Sequence, residues 1–266
     1  MNRRAERLSA LGVYPEDIAK YVLVCGDPKR AEMIAAKFDS AREMGFNREY
    51  RSFTGEINGV RMSAVSHGVG GSGAACCFEQ LIYAGARAII RVGTCGAWAP
   101  GIKSGDILVG TAAGRAEGFT YEQAPSGYPA VSNIDLVRAL ISQAKKRGVN
   151  FRAGIMMSHD AFYGGVMPSP FPIWMRTDAV GVEQELAALL VISSLRGIRA
   201  AGVFAVDGAG EANYFKVGKY NPYNPTVDKA KDDAIEIGIR AMLEFVEAEN
   251  KGELITQVEY RPQQIY

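Results

Sequence analysis

The chain has 266 residues, 48% hydrophobic and 22% charged, close to the average for soluble globular proteins. That length excludes a small disulfide-stapled module and a disordered tail, and it suffices for one domain over residues 1–266. Thirty basic residues against 29 acidic ones leave a net charge of +1, so no electrostatic footprint for nucleic acid or an anionic membrane is present.

No apolar run approaches the roughly 20 residues of a membrane span, and the basic start Met1-Asn2-Arg3-Arg4 lacks the apolar core of a signal peptide. Cys25, Cys76, Cys77 and Cys95 lie in apolar or glycine-rich stretches without metal-ligand spacing. They read as buried free thiols of a protein in the reducing cytoplasm.

In chain order, Tyr21–Cys25 is an apolar run of strand length stopped by Gly26-Asp27-Pro28, and Lys29 to Phe38 follows with helical spacing. Val60–Val65 reads as a strand closed by His67-Gly68-Val69-Gly70-Gly71, and small residues from Ser72 lead into a helix through Phe78, Leu81 and Ile82. Ala86–Val92 is a strand, after which Gly93-Thr94-Cys95-Gly96 is expected to turn the chain. Ile107–Val109 and Phe151–Met157 are further strands separated by a helix near Leu136–Lys146. A helix is expected from about Glu183 to Leu195, a last strand over Arg199–Val206 and a long helix over Lys229–Glu247. Gly164–Pro172 reads as an irregular loop, and Glu211–Pro225 as a mobile lid. This alternation predicts a three-layer α/β/α fold around a central, mostly parallel mixed sheet.

In such a sheet ligands gather at the carboxyl ends of the strands, where backbone amides point outward. Four polar or glycine-rich turns fall there: Gly26 to Arg30, His67 to Gly71, Arg91 to Gly96 and Val206-Asp207-Gly208. None is a Walker or dinucleotide fingerprint, and each serves equally as plain strand–helix geometry. Arg30 and Arg91 beside two of these turns make an anion grip about as expected as that bland reading. Glu183-Gln184-Glu185 opens a helix and would serve either as dipole partners or as a diol grip. Asp207 at a strand tip is a turn former or, protonated in an apolar cleft, a general acid. His67 and His159 lack the spacing of a metal pair or relay, so structural hydrogen bonding is expected of both, and no nucleophile motif appears.

Taken in order and spacing, Gly26-Asp27-Pro28-Lys29-Arg30, Asn47-Arg48-Glu49-Tyr50, Ser66-His67-Gly68-Val69-Gly70, Arg91-Val92-Gly93-Thr94-Cys95-Gly96-Ala97, Phe162-Tyr163, Val182-Glu183-Gln184-Glu185 and Val206-Asp207-Gly208 resemble nucleoside phosphorylase family I, over about Val22 to Leu243. This resemblance implies phosphorolysis of a nucleoside to free base and ribose 1-phosphate, with inorganic phosphate as co-substrate and neither metal nor organic cofactor. It implies that Gly26, Arg30, Arg91 and Thr94 hold phosphate, and that Arg48 completes the clamp from a neighbouring subunit of a homo-oligomer, at least a dimer and, as in relatives, a hexamer. Glu185 would bind the ribose hydroxyls beside Glu183 and Gln184, Phe162 would stack on the base, Tyr163 would line the pocket, and Asp207 would protonate the leaving purine.

Uridine phosphorylases read uracil with a glutamine and an arginine, where Val166 and Pro168 stand here, so the resemblance favours a purine substrate of the inosine or guanosine kind. Residues 1–25 contain no histidine, although the family supplies one to the ribose 5′-hydroxyl, and Gln184 replaces a methionine common at the ribose. A uridine phosphorylase with altered base contacts, a nucleosidase and a non-catalytic nucleoside-binding relative are the alternatives.

Overall fold

The structure is a computed structural model that describes residues 6–209 and 221–261; of the expected lid at 211–225, residues 211–220 lie outside the described residues. The chain runs β1 (Tyr21–Cys25), α1 (Pro28–Ala35), β2 (Ser40–Asn47), β3 (Tyr50–Ile57), β4 (Val60–Ser66), α2 (Gly71–Tyr83) and β5 (Ala88–Ala97). It continues through β6 (Ile107–Ala116), α3 (Phe119–Gln123), β7 (Ala130–Val131), α4 (Ile134–Arg147), β8 (Phe151–His159) and α5 (Phe171–Trp174). The remaining elements are β9 (Ala179–Glu183), α6 (Leu186–Arg196), β10 (Arg199–Ala209) and α7 (Pro225–Lys251).

Local chemistry sets several boundaries. Asp27 caps α1 by accepting a hydrogen bond from the Lys29 amide at 2.8 Å, and Pro28 opens the helix with its φ already fixed. At the far end of α4, Gly148 closes the helix at φ 68°, a conformation that costs glycine little.

Among the described residues, ten strands form one mixed sheet. From its centre, β1 pairs in parallel with β4 and β5, and the hairpin β2–β3 continues antiparallel beyond β4 to the edge. On the other side the sheet closes on itself: β5 pairs β10, β10 pairs β6, β6 pairs β8, β8 pairs β9, and β9 returns to β5. The β5–β10, β6–β8 and β8–β9 ladders are parallel, whereas the β6–β10 and β5–β9 contacts that close the ring are antiparallel.

Strand alternation divides the core in two. Val22 and Val24 of β1 face one cluster with Phe78 and Leu81 of α2 and Leu186 to Ile192 of α6. Leu23 and Cys25 face the other, with Ile34 of α1, Leu140 of α4 and Ile235, Met242 and Phe245 of α7. The result is the expected three-layer α/β/α arrangement around a mixed sheet.

Three local expectations are corrected. Gly93-Thr94-Cys95-Gly96 does not turn; it extends β5, because these residues find ladder partners in β10 and β9. Glu183 ends a strand and α6 starts only at Leu186. Cys76 is exposed on α2, whereas Cys25, Cys77 and Cys95 are buried thiols. The hairpin β2–β3, unread in the sequence, carries mostly exposed polar residues on β2, so its alternation is weak.

Past α7 the chain turns back as a strap. The Asp135 carboxylate at the start of α4 accepts hydrogen bonds from the Ile255 amide at 2.9 Å and from the Thr256 amide and hydroxyl at 3.0 and 2.5 Å. Further on, the Arg87 guanidinium stacks 3.3 Å from the centre of the Tyr260 ring, and the Arg261 amide donates to the Arg196 carbonyl.

Candidate active site

A cavity of about 510 Å³ opens where the carboxyl ends of the strands converge. Gly26 follows β1, Gly68 follows β4, Arg91 and Thr94 lie in β5, His159 ends β8, Glu183 ends β9, and Asp207 lies near the end of β10. All seven line this one cavity.

Arg91 is the electrostatic centre. It is only 4% exposed, and its guanidinium bonds the Glu185 carboxylate through Nη2, which also stands 3.4 Å from Glu183. Burial works against its charge, but the Glu185 and Glu183 carboxylates more than offset that and raise its pKa above the ordinary arginine value. Nε and Nη1 of Arg91 are buried without a hydrogen-bond partner. A buried N–H left unsatisfied is costly, so these two donors are arranged for an acceptor the chain does not supply. Space for the guanidinium depends on Gly93, where a Cβ would lie 1.7 Å from Nη1.

Arg30 is 9% exposed on α1 and donates from Nη1 to the Val92 carbonyl at 3.4 Å, with Gly26 beside it in the cavity wall. Thr94 lines the same wall. Arg48 is exposed at the β2–β3 turn with φ 53°, outside the wall of its own chain's cavity.

The two glutamates are fixed from opposite sides. Glu185 accepts from the Gly70 amide at 2.7 Å; burial pushes its carboxyl up, and Arg91 outweighs that to leave it below the ordinary carboxylate range. Glu183 accepts from the Glu185 and Leu186 amides, each at 2.8 Å, and from the Ser158 hydroxyl, yet burial dominates and holds its pKa above the ordinary value. Gln184 is half-buried in the wall, its amide nitrogen donating to the Asp160 carbonyl at 2.9 Å.

At the apolar end stand Phe162, Phe171 and Val182, with Asp207 close by in the same wall. Asp207 is 9% exposed and is the extra residue of a bulge: Val206 pairs Cys95 and Gly208 pairs Gly96, while Asp207 is skipped. Burial, then the neighbouring Asp207 and Glu183 carboxylates, hold the Cys95 thiol well above its ordinary pKa, so it is no nucleophile.

Of the eleven residues marked in the sequence, nine line this cavity, and Arg48 and Tyr163 stand outside its wall. Tyr163 does not line the cavity; it is 58% exposed and meets Phe162 edge-on with ring centres 5.1 Å apart, because the backbone turns Phe162 inward and its neighbour outward. Glu49 and Phe171 line the cavity without having been marked, and so does His159, of which only structural hydrogen bonding was expected. Glu49 lay inside a quoted motif, but its approach depends on Gly68 at φ 75°, where a Cβ would come 2.6 Å from the glutamate Cγ. His67, by contrast, is fully buried and donates from Nδ1 to the Gly68 carbonyl at 2.9 Å; burial, then Arg91, push its pKa down to about 3. Among the described residues no cluster of three or more His, Cys, Asp or Glu side chains is placed to hold a metal, and no helix is long and apolar enough to cross a membrane.

Comparison with known proteins matches residues 20–244 to the phosphorylase superfamily. The chain belongs to this superfamily. The uridine phosphorylase of Thermococcus kodakarensis is 38% identical over 213 residues, covering 76% of this chain and 77% of that one. The purine nucleoside phosphorylase of Plasmodium falciparum is 38% identical over 203 residues, covering 76% and 83%. In three dimensions the purine nucleoside phosphorylase from Toxoplasma gondii, solved in complex with immucillin-H, superposes with a TM-score of 0.84 at 30% identity over 92% of this chain and 99% of that one. These relatives identify this phosphorylase as a pentosyltransferase of the nucleoside phosphorylase kind, and they divide between purine and uridine enzymes.

Proposed function

We propose that the chain is a purine nucleoside phosphorylase acting on inosine- or guanosine-like substrates. The observation that carries this reading is one cavity holding a buried guanidinium with two unpartnered N–H groups and, in the same wall, a carboxyl group aimed in by a bulge. In the reaction a phosphate oxygen bonds to C1′, the C1′–N9 bond breaks, and its electron pair passes into the purine, where Asp207 delivers a proton to N7. Arg91, Arg30, Thr94 and the Gly26 backbone hold the phosphate under the sugar, where its charge stabilises the oxocarbenium-like transition state. Positioning this weak nucleophile supplies much of the acceleration.

Glu185 exchanges its contact with Arg91 for the ribose hydroxyls, with Glu183 and Gln184 behind it, and Phe162 stacks on the base. Arg48, exposed at the β2–β3 turn, reaches the phosphate of a neighbouring subunit, in a homo-oligomer of at least two copies and, as in the family, six. The enzyme acts in the cytoplasm on nucleoside and phosphate and needs no metal or organic cofactor.

Incubation with inosine and phosphate, followed by chromatography for hypoxanthine and ribose 1-phosphate, tests the reading. Base release at the same rate without phosphate identifies a nucleosidase and overturns it. Uridine turnover above inosine turnover overturns the base assignment, an outcome that the 38% identity to the Thermococcus uridine phosphorylase makes the first to examine.

A further inference from the structure

We infer that His159 reads the nucleobase: its Nε2 accepts a hydrogen bond from an N–H on the six-membered ring of the purine, a role that rests on the purine reading above. His159 is the last residue of β8, three positions before Phe162, and it lines the cavity together with Phe162 and Asp207. Its Nδ1 lies 3.0 Å from the Ala116 carbonyl oxygen at the end of β6. A carbonyl only accepts, so Nδ1 carries a proton, and of the two neutral tautomers this one presents Nε2 as an acceptor. Among the described residues Nε2 has no partner of its own.

The ring cannot swing freely. Phe171 packs edge-on against it at 5.5 Å between centres, and Phe171 is backed in turn by Trp98 at 6.0 Å. The Trp98 indole N–H is itself tied to the Ala179 carbonyl. Gln184, a polar side chain of the same wall, has its amide nitrogen engaged by the Asp160 carbonyl. An acceptor held in a wall that includes Phe162, Phe171 and Val182 discriminates strongly, because a base that brings it no donor leaves it unpaired and desolvated. A 6-oxopurine carries such a donor at N1. Methylation at N1 removes it, and the unsubstituted purine riboside never has it.

The test is kcat/KM with phosphate for inosine, 1-methylinosine and purine riboside, in the wild type and two variants. The wild type is expected to prefer inosine to both analogues by about 10- to 100-fold, the cost of an acceptor covered by the bound base and left unpaired. His159→Asn keeps an amide where Nδ1 sits and removes Nε2, so kcat/KM for inosine falls by about the same 10- to 100-fold, the analogues hold steady and the preference collapses. His159→Gln places an amide oxygen near Nε2 while giving up the Ala116 anchor, and restores part of the preference. A wild type indifferent to N1 substitution overturns the inference. So does equal loss on all three substrates in both variants, which would mean that the ring only ties the ends of β6 and β8 together. Failure to cleave inosine at all would refute the purine reading instead.

Discussion

Replacing Arg91 with methionine keeps the volume of the side chain's stem and removes the guanidinium that, among the described residues, pairs with both Glu183 and Glu185. Two buried carboxylates then share one site, left with the Gly70, Glu185 and Leu186 amides and the Ser158 hydroxyl as donors. Breaking a buried ion pair by deleting one partner costs about 3–5 kcal/mol, which in a chain of this size lowers the melting temperature by roughly 10 °C at neutral pH.

The penalty depends on pH with a definite sign. In the wild type the Glu185 pKa is depressed, so its stabilisation is present above the unfolded carboxylate value and is lost as pH falls through the folded one. In the variant both folded carboxyls titrate above their unfolded value, so the destabilisation is greatest at neutral pH and is relieved on acidification. The two stability curves therefore converge between about pH 7 and pH 4. Calorimetric melts across that range check this, and adding Glu183→Gln should recover about half of the loss. A gap that stays constant with pH, or a variant as stable as the wild type at neutral pH, refutes the view of Arg91 as counter-charge to both glutamates.

Asp207→Ala should lower kcat for inosine about 10²- to 10⁴-fold with little change in the phosphate KM, because it removes only leaving-group protonation; steady-state kinetics at varied phosphate separates the two. Gly93→Ala drives a Cβ into Arg91 Nη1 and to within 2.7 Å of the Phe204 ring, so the phosphate KM should rise about 10-fold or more while the protein still folds, as judged by circular dichroism. Asp135→Ala strips three hydrogen bonds from the strap and should cost about 2 kcal/mol at neutral pH. Burial raises the Asp135 carboxyl but the bonds from Thr256 and Ile255 more than compensate, leaving its pKa lowered, so this contribution is present above the unfolded carboxylate value and fades in acid. Urea melts of Asp135→Ala, a truncation before Glu253 and their combination should show losses that do not add.

Local signals in the chain were enough for the longer helices α1, α2, α4, α6 and α7 and for most buried parallel strands, but not for the short α3 and α5. Apolar runs such as Tyr21–Cys25 and Arg199–Val206 mark strands covered on both faces, and Asp27-Pro28 marks a helix start. What escaped depends on partners distant in sequence. Gly93 to Gly96 looks like a turn to any local rule, and only the ladders to β10 and β9 make it a strand. The cavity was legible where charge meets glycine, at Arg30, Arg91, Glu185 and Asp207. It was illegible at His159 and Phe171, ordinary residues that become cavity wall because β8 runs beside β9 and a proline-flanked segment folds back over them.

Closure of the ring explains why the acid stands on the cavity side. Along β10, Phe204 and Val206 face the α2–α6 core while Val203 and Ala205 face the core under α4 and α7. Uninterrupted alternation would send the next residue, Asp207, toward the second core, where a carboxyl group would meet only apolar side chains. The bulge opposite Cys95 and Gly96 inserts one residue into the register and turns that side chain into the cavity that Cys95 also lines. While β10 stays paired along one edge of this stretch, the other edge of β5 exchanges β1, parallel up to Arg91, for β9, antiparallel at Gly96 and Ala97, which brings Glu183 alongside. A single irregularity in the sheet therefore serves both ends of the proposed reaction. It leaves Arg91 on the regular part of β5 and places Asp207, the proposed proton donor, on the irregular part of β10.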